Sequence, residues 1–151
     1  MNDPGWSHET TLVAEPVSAP RARAFVCRHL IDHGLAYLVD PVRLVVSELA
    51  THSLVQARGP FTVTLSCTHP TLVLSVRDEA SGPRVPAQVR RTELSGRGLK
   101  IVQLISSDWG VASDATGSHT VWAAFTLRTT DSDEQPADGL GSPRPTSRRV
   151  R

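Results

Sequence analysis

Two runs of eight residues constrain this chain most. Phe61-Thr-Val-Thr-Leu-Ser-Cys-Thr68 alternates apolar and polar residues strictly, and Thr71-Leu-Val-Leu-Ser-Val-Arg-Asp78 alternates again. Period-two patterning puts Phe61, Val63, Leu65 and Cys67 on one face of the first run and Leu72, Leu74 and Val76 on one face of the second. His69-Pro70 between them supplies a turn, so an antiparallel hairpin with one buried face is predicted. Asp78 falls on the inward side by the same parity. A bare carboxylate there is expensive and requires a partner. The other reading is that the strand has ended and Asp78 caps the next turn; the stretch alone supports both equally.

The rest of the chain supplies elements to cover that face. Thr10–Glu15 reads as a short strand stopped by Pro16, after a flexible N-terminus over residues 1–9. A helix can begin at Ser18 or Ala19, ahead of Pro20. Its apolar residues Ala22, Phe25, Val26 and Leu30 recur at helical spacing, and Gly34 is a C-terminal stop. His29 and His33 stand four apart on it, but with no third ligand close in sequence a metal site is not expected.

A second helix spans Asp40 to Ala57, with Asp40 as cap and Pro41 in the first turn, where a missing N–H costs nothing. Val42, Val45, Val46, Leu49 and Ser53 form its core stripe. Leu44, Glu48, His52 and Val55 form a second stripe beside it, so Glu48 and His52 share an edge of the apolar face. Taken alone, they read as a polar pair on a structural helix. Gly59-Pro60 ends this helix.

Past Asp78 the pattern disappears until Ser95, a long loop of the kind that is a functional lid or is disordered. Ser95-Gly-Arg-Gly98 then leads into a helix over Leu99–Ile105, where glycines let the backbone approach an anion. Asp108-Trp-Gly110 ends that helix, Val111 begins a short strand, and His119–Leu127 is the last strand. Residues 129–151, rich in Ser, Asp, Gly, Pro and Arg, have almost nothing to bury and read as a disordered tail.

The predicted fold is an α+β two-layer sandwich in the wider α/β class: a mostly antiparallel sheet of about five strands, covered on one face by three helices. With 151 residues, one domain is expected, over 10–128. A formal net charge of +1 gives no electrostatic argument for nucleic acid or an anionic membrane. Cys27 and Cys67 stand outside any C-x-x-C pattern and read as small buried hydrophobes in a reducing cytosol. No stretch approaches the roughly 20 apolar residues of a membrane span, and the first ten residues lack the pattern of a secretion signal. A cytoplasmic protein is the expectation.

Three polar features recur at element edges: Glu48 with His52, Asp78, and Gly96-Arg-Gly98. A carboxylate in an apolar setting can accept from the amino group of a heterocycle, a glycine-rich helix start can hold phosphates, and a helical carboxylate can orient a hydroxyl nucleophile. Together they suit a purine nucleotide triphosphate, and the absence of G-x-x-x-x-G-K-[ST] excludes a P-loop site.

At this point the chain resembles a family. Glu48-Leu-Ala-Thr-His52, Asp78-Glu-Ala-Ser-Gly82-Pro, Ser95-Gly-Arg-Gly-Leu99 and Gly117-Ser-His-Thr-Val-Trp122 look like the boxes of the GHKL superfamily of ATPases, and in particular the histidine-kinase-like domain of bacterial anti-sigma factor serine kinases. The resemblance covers about residues 10–128. It implies ATP and Mg²⁺ as cofactors. It also implies that Asp78 binds the adenine amino group, Gly82 supports the turn beneath the base, and Gly96, Arg97, Gly98 and Leu99 approach the phosphates. Thr120 would lie near the adenine, and Glu48 would be the general base that activates a serine hydroxyl on a partner. A sigma factor, an anti-anti-sigma-type protein and a second copy of the chain are the implied partners.

The chain departs from the family at His52, where an Asn oxygen ordinarily ligates Mg²⁺. Mg²⁺ is a hard ion that wants oxygen, whereas imidazole suits softer metals. The first glycine of the Asp78 box is likewise replaced, by Ala80. The alternative is therefore a degenerate module that sequesters a sigma factor or another regulator without phosphoryl transfer. A zinc hydrolase built on Glu48 and His52 is a third reading, and it lacks an evident third ligand.

Overall fold

The computed structural model describes residues 5–56, 59–78, 97–113 and 117–128. Among these, five strands and three α-helices follow in the order β1 (Trp6–Leu12), α1 (Ser18–Asp32), a turn of 3-10 helix (Ala36–Leu38), α2 (Val39–Gln56), β2 (Phe61–Thr68), β3 (Thr71–Asp78), α3 (Arg97–Ile105), β4 (Asp108–Ser113) and β5 (His119–Thr126). The strands form one open antiparallel sheet in the order β1-β2-β3-β5-β4. The predicted α+β class and antiparallel sheet are both found.

The hairpin forms as its alternation requires. Phe61, Val63, Leu65, Leu72 and Leu74 are fully buried, with Cys67 and Val76 nearly so, and the residues between them are half-buried or exposed. This one-sided burial creates the core, and the three helices pack against the sheet. α2 contributes Val42, Val45, Val46, Leu49 and Ala50, with Ser53 at the end of the same stripe. α1 contributes Ala22, Val26 and Leu30, and Cys27 packs half-buried beside them.

α1 stops where Gly34 permits it. At φ +76° this residue takes a left-handed conformation that costs an L side chain energy. Its N–H then donates to the Ile31 carbonyl at 3.1 Å, and the Leu35 N–H donates to the Leu30 carbonyl at 2.7 Å. This paired arrangement satisfies carbonyls that the helix end would otherwise leave open.

Three boundaries differ from expectation. β1 begins at Trp6 and ends at Leu12, so residues 6–9 are strand rather than flexible lead. Trp6, His8, Thr10 and Leu12 pair inward with Cys67, Leu65, Val63 and Phe61, and β2 is long enough to hold all seven residues. α2 begins at Val39, continuing directly from the 3-10 turn. Asp40 therefore lies inside the first turn and accepts from Arg43 at 3.2 Å instead of capping. β4 begins at Asp108, because Trp109 and Gly110 pair with Ala123 and Trp122. Gly110 fits there for a steric reason: a Cβ on it would stand 2.7 Å from Cζ2 of Trp122.

Among the described residues, no helix is long and apolar enough to cross a membrane. The expected lid over 79–95 and tail over 129–151 lie outside the described residues.

Candidate functional site

One residue from each strand lines up across an end of the sheet. Leu12, Phe61, Asp78, His119 and Ser113 are register partners in turn, running from β1 through β2, β3 and β5 to β4. The row is apolar at the β1 side and polar at the β4 side. Leu12 and Phe61 are buried, Asp78 is 5% exposed and His119 is 2% exposed. Ser113 Oγ lies 3.0 Å from His119 Nδ1, a hydrogen bond that ties β4 to β5 at this end.

Asp78 therefore ends β3 as an inward strand residue, which decides between the two readings of its parity. It follows Leu72, Leu74 and Val76 on the buried face, with Phe61 on one side and His119 on the other. Neighbouring side chains in such a row stand with Cβ atoms about 5 Å apart. Asp78 thus stands between an apolar ring, Phe61, and an imidazole, His119.

α2 carries Glu48 and His52. The helix packs on β3 and α3. Leu49 and Ser53 face the core, while Glu48 and His52 are half-buried on the neighbouring stripe. The predicted placement of this pair beside the apolar face is what the helix shows. Leu44, at the head of that stripe, is 42% exposed.

The other expected residues divide. Arg97, Gly98 and Leu99 form the first turn of α3, whose last turn lies at the opposite end of the sheet, where Ser107 N–H donates to the Ala124 carbonyl at 2.7 Å. Gly96, Gly82 and Ala80 lie outside the described residues. Thr120 is half-buried, one step along β5 from His119, with Arg77 and Ala112 as register partners. Alternation puts it on the opposite face of the sheet from Asp78, so the structure does not bring these two together. His119 is the residue that shares the Asp78 face. Its signal was present in the sequence: the parity that turns Val121, Ala123 and Phe125 inward also turns His119 inward.

The donors available near α2 do not fit Mg²⁺ well. Glu48 offers oxygen, but His52 offers an imidazole nitrogen, and a hard ion demanding octahedral oxygen gains little from it. Zinc fits no better. Among the described residues, no group of three or more His, Cys, Asp and Glu side chains is placed to hold a metal ion.

Comparison with known proteins adds no name to this geometry: no model of a known protein family matches the chain, and no curated protein matches it.

Proposed function

We propose that the chain is an adenine-nucleotide-binding regulatory protein with the GHKL ATPase fold, resembling anti-sigma factor serine/threonine kinases. The observation that carries this reading is the burial of Asp78 at the end of β3, on the helix-facing side and between Phe61 and His119. A buried carboxylate keeps hydrogen-bond donors about it, because its desolvation cost is large, and in this reading the amino group of adenine is one of them. Glu48, half-buried on α2, would in the same reading take the proton of a partner's serine hydroxyl as the oxygen attacks the γ-phosphorus of ATP.

A second reading is favoured by one residue. With His52 in place of an oxygen donor, the site is poor in Mg²⁺ ligands, which favours nucleotide binding, or sequestration of a sigma factor, without phosphoryl transfer. Calorimetry with ATP, with and without Mg²⁺, on the natural chain and on His52→Asn separates the two. A kinase requires Mg²⁺-dependent binding and phosphoserine on an antagonist protein. A degenerate module binds ATP equally with and without Mg²⁺ and gains Mg²⁺ dependence only in His52→Asn. Absence of ATP binding to both folded proteins would remove both readings.

A further inference from the structure

Far from the Asp78 row, at the other end of β1, three histidines and a tryptophan interlock between β1 and α1. The Trp6 and His33 rings stack with centroids 3.8 Å apart and planes 6° from parallel. His8 and His29 stack at 3.9 Å and 12°. The Nε2 atoms of His8 and His33 are 3.0 Å apart, one imidazole donating to the other, and Phe25 meets His29 edge-on at 4.8 Å. β1 is an edge strand, so these contacts and its pairing with β2 are what hold its first half.

We propose that Trp6, His8, His29 and His33 form an acid-released clasp that fastens the first half of β1 to α1. The His8–His33 hydrogen bond needs a lone pair on one ring, so it cannot survive protonation of both. The stacked His8 and His29 rings repel each other when both carry charge.

The charges around His29 agree with this. Burial lowers its pKa first, then the positive charges of His8, Arg28 and His33 lower it, against Asp32, which raises it. Among the described residues, the groups acting on it belong to β1 and, for His33, Arg28 and Asp32, to α1 and its end. Glu9 lies on the opposite face of β1 from His8. A histidine with a lowered folded pKa binds its proton more readily in the opened state. The clasp is therefore intact above the ordinary imidazole pKa of about 6.5 and is lost as pH falls below it toward the lower folded value. Release uncovers the outer edge of β2 for pairing with another strand.

Amide hydrogen exchange of the full chain between pH 7.5 and 5.5, corrected for intrinsic rates, tests this. Protection of residues 6–10 should fall by about tenfold per pH unit below 6.5, while amides of β3 and β5 hold theirs. Equal protection at both pH values, or loss in step with β3 and β5, would overturn the clasp. His29→Phe keeps the ring contacts and should make the loss smaller, leaving only the His8–His33 contact to respond. Two exposed variants on α1 should move its midpoint in opposite directions, Asp32→Asn to lower pH and Arg28→Gln to higher pH. Failure of both to move it would contradict His29 as the trigger.

Discussion

Asp78 and His119 are register partners on β3 and β5, and both are buried against the helix layer. Their row continues to Ser113, whose hydroxyl meets His119 Nδ1 at 3.0 Å. Removing that hydroxyl in Ser113→Ala should cost about 1 kcal/mol, the usual net worth of one hydrogen bond. Urea unfolding checks it, and an unchanged midpoint would mean that the bond adds nothing to stability.

Glu48→Gln keeps the shape of a half-buried side chain on α2 but removes its capacity to accept a proton. Under the kinase reading, nucleotide affinity should stay within about twofold, while phosphoserine formation on a partner drops by roughly 100-fold or more. A variant that transfers phosphate at the natural rate would exclude Glu48 as the base.

Gly110 lies beneath the Trp122 ring, and an added methyl would fall 2.7 Å from Cζ2. Gly110→Ala should therefore destabilise the β4–β5 pair by about 1–3 kcal/mol, through displacement of the indole. Gly59→Ala is the control, since nothing lies within 4 Å of its added methyl. Thermal unfolding of the two variants should separate them by several degrees; equal melting temperatures would contradict the steric account.

Leu65 is fully buried in the middle of the sheet's inner face. Leu65→Ala should cost about 2–5 kcal/mol, from lost transfer energy together with the cavity left behind. Denaturant midpoints measure this directly, and a loss below about 1 kcal/mol would show that the core collapses around the site.

The parts of this fold most legible in the sequence are those where one residue pattern has one physical solution. The alternation over 61–68 and 71–78 admits only a half-buried hairpin, and both strands run as read. The stripe from Val42 to Ser53 is likewise the buried face of α2. Boundaries were harder wherever tertiary partners outweigh local signals. Trp6-Ser-His-Glu reads as polar lead until β2 offers seven pairing positions, and Asp108-Trp-Gly reads as a helix stop until Trp122 covers Gly110. The Asp78 parity gave its inward burial correctly. His119 was overlooked because a histidine among apolar positions reads first as core, and His8 because sequence distance hides its approach to His29 and His33.

Titration of ATP into the folded chain, beside the same titration into Asp78→Asn, tests the central claim most directly. The natural chain should bind ATP, and the variant, which weakens a charge-assisted contact worth about 1.5–3 kcal/mol, should bind roughly 10- to 100-fold more weakly while staying folded. Equal affinity in the two proteins, or no binding to the natural chain, would contradict an adenine site at Asp78.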